Sequence, residues 1–318
     1  MDGANTVVTL SLIAEELLRD SLAGLQAETK TLSPKWLYDE RGSALFEQIT
    51  TLPEYYLTRT EAGILMDHAH QLAGMVPAGG ALVELGSGAS VKTRTLLDAG
   101  PHFRAYVPID ISADFLHMTA DGLRRRYPQL QIMPVVGDFT GHVALPEALD
   151  CAPKIGFFPG STIGNLEPTL ARQLLAHARS WSHIEGFILG ADFVKDARTL
   201  VSAYDDAQGV TAQFISNILT RLNKDLGANF DLDAFKYEAR WNNDAARIDM
   251  SLVSLCDQTV DICGNTIDFA AAEAIHVSAA RKYTPESLAE LADCAGWEVD
   301  QILTDKKKRF GVCLLTPR

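Results

Sequence analysis

Short runs of apolar residues alternate with amphipathic stretches over residues 81–192, the most regular part of the chain. The runs Ala81–Leu85, Ala105–Asp110 and Lys154–Phe158 have the length and apolar character of buried strands. Between them, segments such as 115–126 show the apolar spacing of a helix. Strands that alternate with helices in this way form a parallel sheet covered on both faces. The pattern therefore predicts an α/β fold.

The same spacing predicts helices over 10–25, 62–75 and 169–181, and strands over 131–136 and 186–192. Residues 33–46 break the helical spacing. We expect a loop there, dense in aromatic and charged side chains, of the kind that often carries function.

The pattern changes after residue 194. Residues 195–226 are mostly helical in spacing, whereas 235–262 alternate as antiparallel strands do. The α/β pattern returns after Tyr283 and ends in two strands that predict a reversed hairpin at the sheet edge. We therefore expect a Rossmann-like sheet domain built from residues 61–194 and 284–318. A second, α+β domain would contain residues 1–60 and 195–283.

A glycine turn follows the first strand of the predicted sheet. Gly86 and Gly88 are followed by a helix, and a side chain at either glycine would occupy space that a ligand needs against bare backbone. The glycine turn lacks the third glycine of the dinucleotide-binding fingerprint. Lys92 lies in the first turn of the helix that follows it.

Two acidic residues extend this nucleotide-binding pattern. Asp110 ends the next strand, where a carboxylate can take a ribose diol. Asp138 and Phe139 follow the third strand, where a carboxylate and a ring can hold an adenine. This order of groups indicates S-adenosylmethionine as cofactor, although three ordinary strand ends would look similar, because a fold does not fix a function.

The composition narrows the classes of partner. The 318-residue chain carries a formal net charge of −13 at pH 7, whereas a nucleic-acid surface needs clustered basic residues. The basic run at 305–309 lies between two apolar runs, which predicts a solvated hairpin tip. We therefore expect no nucleic-acid partner.

Location and metal binding can also be judged from the sequence. No apolar run approaches the roughly 20 residues of a membrane span, and the residues after Met1 lack the basic start of a signal peptide. We expect a cytoplasmic monomer with no membrane partner. The five cysteines show no C-x-x-C spacing, which predicts reduced core thiols rather than zinc ligands or disulfides. His68 and His70 would point to different faces of one helix, so no metal is expected.

Four stretches resemble one protein family. They cover residues 36–49, 52–61, 157–166 and 203–206 and read WLYDERGSALFEQI, LPEYYLTRTE, FFPGSTIGNL and AYDD. Together they resemble the histidine Nα-methyltransferases of ergothioneine biosynthesis, which convert histidine to its trimethyl betaine. The resemblance runs from about Leu32 to Arg318. It implies a Rossmann-like S-adenosylmethionine-dependent methyltransferase domain and a separate substrate-binding domain.

The resemblance also implies roles for individual residues. The S-adenosylmethionine site would use Tyr38, Gly86, Lys92, Asp110, Asp138 and Phe139. The amino-acid site would use Phe46, Tyr56, Gly160, Asn165, Tyr204, Met250, Ser278 and Ala280. Tyr38 and Tyr56 would be the catalytic residues, which orient the amine and pass its proton to water without a strong general base.

Side-chain chemistry supports part of this assignment. A substrate carboxylate in an acidic protein needs neutral donors, and the amide of Asn165 and the hydroxyl of Tyr204 are such donors. On residue type alone, Phe46 and Met250 are more often core than pocket. Tyr204 could equally be a helix tyrosine with a hydrated hydroxyl.

The imidazole clamp of the family is altered in this chain. A few residues before a Lys-Tyr or Lys-Phe pair, which is Lys282-Tyr283 in this chain, family members carry a Thr-Glu-x-Ser stretch. The glutamate and serine of that stretch hold the imidazole. Aligned on Ile275 and Lys282, those positions here are Ser278 and Ala280. Charge-assisted hydrogen bonds are about twice as strong as neutral ones, so histidine should bind less well. The resemblance therefore leaves open another α-amino acid as substrate.

The expected reaction is an in-line attack by a neutral amine on the methyl group of the sulfonium, promoted by positioning and desolvation. Two alternatives remain open at this stage. One is a methyltransferase of a different small amine that uses the same donor. The other is an inactive module that only binds S-adenosylmethionine.

Overall fold

The strands and helices follow the predicted alternation in a computed structural model that describes residues 12–141 and 143–318. The helices are α1 (Leu12–Leu25), α2 (Glu40–Thr51), α3 (Tyr56–Asp67), α4 (Ala69–Gly74), α5 (Val91–Ala99), α6 (Ala113–Arg126), α7 (Pro168–Arg179), α8 (Ala197–Ser202), α9 (Val210–Leu226) and α10 (Pro285–Asp293).

The strands are β1 (Ala81–Leu85), β2 (Ala105–Asp110), β3 (Gln131–Ile132), β4 (Val135–Val136), β5 (Lys154–Phe158), β6 (Ile184–Asp192), β7 (Phe235–Asn242), β8 (Arg247–Ser254), β9 (Gln258–Ile262), β10 (Asn265–Phe269), β11 (Ala274–Arg281), β12 (Trp297–Thr304) and β13 (Phe310–Pro317).

The chain divides into two units. Unit 1 contains the described residues up to Tyr55 together with Asp196–Asn243 and Ile248–Ala279. Unit 2 contains Tyr56–Lys195, the short piece Asp244–Arg247 and Ala280–Arg318.

Unit 2 is built around a mostly parallel sheet with the strand order β12-β13-β6-β5-β1-β2-β3, and β4 pairs with β2. β1 pairs in parallel with both β2 and β5, and all of its residues are buried. β13 runs antiparallel to β6 and β12, so a reversed hairpin closes one edge. This topology confirms the predicted α/β class with its antiparallel edge.

The position of β1 determines where a ligand can bind. The chain adds β2 and β3 on one side of β1 and then returns to add β5 and β6 on the other side. Such a reversal of strand order opens a crevice at the carboxyl ends of the strands, and ligands of open α/β sheets bind there. The crevice lies at Gly86, directly after β1.

Unit 1 contains helices and antiparallel strands. α2 packs on α9, β11-β8-β7 form one small sheet, and β9 and β10 form a two-stranded ribbon. Buried residues of α9, such as Ile218 and Leu222, contribute to its core. These elements give unit 1 the α+β composition expected from the sequence.

Two predicted elements were wrong because single residues, a capping aspartate and a proline, change the local backbone hydrogen bonding. The expected loop at 33–46 contains a 3₁₀ helix (Pro34–Leu37) and the start of α2. Asp39 begins α2 by accepting the Gly42 N–H at 2.7 Å, as helix N-caps do. The strand expected over 131–136 is split into β3 and β4 at Pro134, which lacks the N–H that a continuous ladder needs.

The helix expected over 62–75 is also two helices. α3 begins earlier than predicted, at Tyr56, and ends at Asp67; His68 separates it from α4. His68 therefore precedes the helix that contains His70, and the expectation that both histidines lie on one helix was wrong. Among the described residues, no group of His, Cys, Asp and Glu side chains could hold a metal ion.

The cysteines depart from their predicted burial, whereas the basic run forms the predicted turn. All five cysteines are free, but only Cys313 is buried, so the expectation of core thiols was wrong for Cys151, Cys256, Cys263 and Cys294. The basic run is the predicted hairpin tip, since the Asp305 carboxylate accepts the backbone N–H groups of Lys307 and Arg309. Within the residues that the structure describes, no helix is long and apolar enough to span a membrane.

Candidate active site

The glycine turn after β1 leaves bare backbone at the crevice of unit 2. Gly86 and Gly88 have φ values of +64° and +48°, a region that favours glycine. A Cβ at Gly86 would lie 3.1 Å from the Phe139 ring, whereas a Cβ at Gly88 would meet no atom within 4 Å. Ser90 gives the following helix, α5, no side-chain cap, so its first N–H groups can serve an anionic ligand.

Asp110 lies at the end of β2 and joins this turn. One carboxylate oxygen accepts the Gly88 N–H at 2.9 Å, and the other accepts the Ser112 N–H at 3.0 Å. A carboxylate offers about four acceptor positions. Both oxygens can therefore accept further hydrogen bonds, which suits the two hydroxyls of a ribose.

Phe139 and Asp138 follow β4 beside the same turn. The Phe139 ring packs edge-on against Phe158, with ring centroids 5.3 Å apart, and lies against Gly86. The exposed Asp138 carboxylate accepts the backbone N–H of Thr140 at 2.8 Å. The structure thus brings Gly86, Asp110 and Phe139 to one crevice, with a carboxylate at Asp138 next to them.

A buried glutamate that sequence reasoning did not single out lies beneath the turn. Glu84 accepts hydrogen bonds from the hydroxyls of Thr93, at 2.5 Å, and of Tyr106. Burial raises the pKa of Glu84 to about 8, and the two hydrogen bonds only partly oppose this effect. The available signal was one charged residue within an otherwise apolar strand.

Glu61 connects a residue of the predicted cofactor site to a residue of the predicted substrate site. Its buried carboxylate lies 2.5 Å from the Lys92 ammonium and accepts the Gly160 N–H at 2.8 and 2.9 Å. The Lys92 ammonium is therefore directed at Glu61. Glu61 ends one of the family motifs in the sequence but was not among the predicted site residues.

The loop after β5 has a strongly constrained backbone. Gly160 and Ser161 both have positive φ, +84° and +58°. The Ser161 hydroxyl accepts the Asp192 N–H at 2.9 Å. A Cβ at Gly164 would lie 2.4 Å from the Arg281 carbonyl oxygen. These contacts leave Asn165 exposed at the end of the short 3₁₀ helix Thr162–Asn165.

Tyr56, at the start of α3, belongs to a buried ionic cluster. Its hydroxyl lies 2.8 and 3.0 Å from the two oxygens of Asp192, a residue with no exposed surface. The ammonium groups of Lys195 and Lys282 lie 2.6 and 2.9 Å from the same carboxylate. Asp192, Lys195 and Lys282 were not among the predicted site residues, although a carboxylate at the end of a strand was a signal.

In unit 1, Tyr38 and Phe46 share an aromatic cluster with Phe214. The Tyr38 ring is edge-on to both phenylalanines, with centroid distances of 5.7 and 5.4 Å. Tyr38 is 41% exposed in spite of these contacts. The exposed part of Tyr38 can therefore offer a ligand both an aromatic ring and a phenol hydroxyl.

Tyr204 contacts two other tyrosines of unit 1. Its ring is edge-on to Tyr55 at 5.9 Å, and its backbone carbonyl accepts the Tyr237 hydroxyl at 2.6 Å. Two residues after Tyr204, the Asp206 carboxylate accepts the N–H groups of Val210 and Thr211, the first two residues of α9. The conformation around Tyr204 is therefore well determined.

The remaining predicted pocket residues lie on strands. Met250 is buried in β8. Ser278 and Ala280 are two residues apart in β11, so they share one face of that strand, and both are buried. No charged side chain is contributed by this face at these two positions.

Comparison with known proteins identifies relatives over nearly the whole chain. A family model described as "Histidine-specific methyltransferase, SAM-dependent" matches residues 17–317. A "Histidine N-alpha-methyltransferase" of Mycolicibacterium smegmatis is 44% identical over 311 residues, 95% of each chain. The protein of that name from Mycobacterium tuberculosis is 45% identical over 305 residues, 94% of each chain. "Ergothioneine biosynthesis protein 1" of Neurospora crassa is 33% identical over 201 residues, 60% of this chain and 22% of that protein.

Proposed function

Because the chain belongs to the family of SAM-dependent, histidine-specific methyltransferases, we propose that it methylates the α-amine of a free amino acid. The observation that carries this proposal is the 44–45% identity to two histidine Nα-methyltransferases over at least 94% of both partners. As a SAM-dependent methyltransferase, the protein is an enzyme and takes its methyl groups from S-adenosylmethionine.

The crevice of unit 2 suits the donor. Gly88 has open space where a side chain would stand, and Asp110 retains acceptor capacity beside it. In our proposal Gly86, Lys92, Asp110, Asp138 and Phe139 hold S-adenosylmethionine, together with Tyr38. When bound, this donor supplies a methyl group on a positively charged sulfur.

The acceptor is held mainly by neutral groups. We assign its carboxylate to the Asn165 amide and the Tyr204 hydroxyl, and its amine to Tyr56, Tyr38 and the turn at Gly160. Phe46 and Met250 would pack against the rest of the molecule. These residues would promote the reaction by fixing the amine in line with the methyl group and by excluding water.

The side chain of the acceptor would be selected at Ser278 and Ala280. Both residues are buried on one face of β11 and carry no charge. A buried carboxylate partner for an imidazole N–H is missing at these positions. Our proposal therefore extends to an α-amino acid whose side chain needs no charged partner there, within the histidine-type family.

Further features accompany this assignment. Unit 2 would bind the donor, and unit 1 would supply the substrate-binding domain. A role in an ergothioneine-type pathway, a cytoplasmic location, a monomeric state and the absence of a nucleic-acid partner are proposed from the sequence. A methyltransferase of another small amine is the alternative.

Mass spectrometry tests the proposal directly. The protein is incubated with S-adenosylmethionine and, in separate reactions, with an equimolar mixture of the twenty amino acids or of the amines formed by their decarboxylation, and products are searched for one, two or three added methyl groups. Methylation of an amino acid supports the function. Methylation of amines without a carboxylate but of no amino acid supports the alternative, and binding of the donor without any product supports an inactive module.

A further inference from the structure

Tyr56, Asp192 and Lys195 form a closed triangle of polar groups inside unit 2. The Lys195 ammonium lies 2.7 Å from the Tyr56 hydroxyl and 2.6 Å from Asp192. The Tyr56 hydroxyl in turn lies 2.8 Å from the nearer Asp192 oxygen. The Lys195 side chain is only 11% exposed, so each of these hydrogen bonds is largely shielded from water.

The hydrogen bonds in this triangle can be made with Lys195 in either protonation state. As an ammonium, Lys195 donates one proton each to Tyr56, Asp192 and the Phe193 carbonyl, and Tyr56 donates its only proton to Asp192. As a neutral amine, Lys195 keeps two donors and offers one lone pair. Tyr56 can then donate to Lys195 across the same 2.7 Å distance.

Burial favours the neutral amine of Lys195 more than is usual for lysine. The pKa of Lys195 is lowered to about 8, chiefly by burial; Asp192 opposes this shift, and the nearby cations of Lys282 and Arg309 add to it. Lys282 binds Asp192 from the chain segment after β11. Arg309 lies over the Tyr56 ring at 5.2 Å and is paired with Asp305.

We infer that Lys195 accepts, through the Tyr56 hydroxyl, the proton that the α-ammonium of the acceptor loses before methyl transfer. This inference rests on the proposed function, which assigns the amine to Tyr56. An N–H bond of the substrate breaks as its proton passes to the Tyr56 oxygen. The O–H proton of Tyr56 passes at the same time to the neutral Lys195 amine.

The step leaves a neutral substrate amine, a neutral Tyr56 and a Lys195 ammonium, so total charge is conserved. Asp192 holds the triangle in place and favours the Lys195 ammonium that the step forms, whereas the Lys282 cation favours the neutral amine that precedes it. The exposed part of the Lys195 side chain gives its proton a route back to water. Lys195 thus acts through Tyr56 and need not touch the substrate.

Replacing Lys195 by arginine separates proton acceptance from charge. Arginine keeps the positive charge but stays protonated at every pH of interest, so Lys195→Arg can position Tyr56 but cannot take its proton. Lys195→Met removes both properties, and Tyr56→Phe removes the hydroxyl that passes the proton. Lys154→Arg is the matched control, because Lys154 is another buried lysine of unit 2, at the opposite end of β5 from the Gly160 loop.

The measurement is kcat and acceptor KM against pH, from 6 to 9.5, with melting temperatures to verify folding. Wild type and Lys154→Arg should show kcat rising through an inflection near pH 8, the pKa of Lys195. Lys195→Arg and Lys195→Met should lose about tenfold or more in kcat at pH 8 and lack this inflection. KM in Lys195→Arg should change by no more than about threefold.

Wild-type kcat and an unchanged inflection in Lys195→Arg would overturn the inference and leave the proposed function intact. A folded Tyr56→Phe variant that keeps the inflection would also overturn it. If wild type methylates no amino acid, both the inference and the proposed function fail. Should Lys195→Met fail to fold, Lys195→Arg and Tyr56→Phe still decide the matter.

Discussion

The Gly160 N–H donates to both carboxylate oxygens of Glu61, at 2.8 and 2.9 Å, although the two residues are 99 positions apart. Glu61 also pairs with Lys92, which follows the glycine turn. A Cβ at Gly190 would lie 2.1 Å from Glu61, so the carboxylate fills a space that only glycine leaves open. The buried Glu61 carboxylate therefore holds both Lys92, which we assign to the donor site, and Gly160, which we assign to the acceptor site.

Substitutions of Glu61 should separate these two contacts. Glu61→Gln keeps an acceptor for the Gly160 N–H but loses the ion pair with Lys92, so it should mainly weaken donor binding. Glu61→Ala loses both contacts and should also raise the acceptor KM by about tenfold, since hydrogen bonds to charged groups contribute about 1.5–3 kcal/mol. Calorimetry with S-adenosylmethionine and steady-state kinetics measure the two effects.

The control for Glu61 is Glu290→Gln on the exposed side of α10. Glu290→Gln should leave both the affinity for S-adenosylmethionine and the acceptor KM unchanged. If Glu61→Gln raised the acceptor KM as much as Glu61→Ala does, the Gly160 contact would not be the one that serves the acceptor.

Asp110→Asn should weaken S-adenosylmethionine binding about tenfold or more. The asparagine side chain can keep one hydrogen bond, from Gly88 or Ser112, but loses the charged acceptors that we assign to the ribose hydroxyls. Isothermal titration calorimetry measures the affinity, and Asp98→Asn at an exposed ion pair is the control. Unchanged affinity would remove Asp110 from the donor site.

Asn165→Ala and Tyr204→Phe should each raise the acceptor KM and leave donor affinity unchanged. Each variant removes one neutral donor from the substrate carboxylate, in the ground state as well as the transition state. Kinetics with the amino acid and with its decarboxylated amine provide the measurement. If the native enzyme methylates both compounds equally well, the carboxylate assignment is wrong.

The double variant Ser278→Glu with Ala280→Ser should raise kcat/KM for histidine by about an order of magnitude. It restores one charged and one neutral hydrogen-bond acceptor in a buried setting. The native substrate should become worse, because its side chain would face an unpaired carboxylate. Efficient trimethylation of histidine by the native protein would show that these two positions do not select the side chain.

Glu84 predicts a pH dependence of stability. Because its pKa is raised by burial from 4.5 to about 8 in the folded protein, folding favours the protonated form. The resulting stabilisation is complete below pH 4.5 and is lost as the pH rises through 8. Each pKa unit corresponds to about 1.4 kcal/mol, so the effect should be on the order of 5 kcal/mol.

Thermal unfolding from pH 5.5 to 8.5 tests this expectation. The melting temperature of the wild type should fall more steeply with pH than that of Glu84→Gln, whose side chain stays neutral. Parallel curves for the two proteins would show that Glu84 is already ionised at low pH in the folded state.

Local sequence features were sufficient for the main elements of unit 2. The strands Ala81–Leu85, Ala105–Asp110 and Lys154–Phe158 have the predicted bounds. Apolar runs and glycine turns act through neighbouring residues, and so they can be recognised without knowledge of the fold. The same holds for Gly86, Gly88 and Asp110, which meet because parallel strands end at one edge of the sheet.

Predictions failed where one residue overrides the apolar pattern through its effect on backbone hydrogen bonds. Asp39 starts α2 inside a segment expected to be a loop, and Pro134 divides a segment expected to be one strand. His68 separates two helices that the periodicity had joined. A cap or a missing N–H changes the balance of hydrogen bonds by an amount comparable to the helical or strand preference of a whole segment.

The sequence by itself determined the fold class, the family and the glycine turn that we assign to the donor, because hydrophobic spacing and long mixed motifs are properties of the chain. Only the tertiary structure decided which charged groups meet inside it. Glu61 reaches Gly160 across 99 positions, and Tyr56 reaches Asp192 across 136. Such pairs arise because burial forces each ionised or polar group to find a partner, and folding, rather than sequence spacing, determines which partner is near.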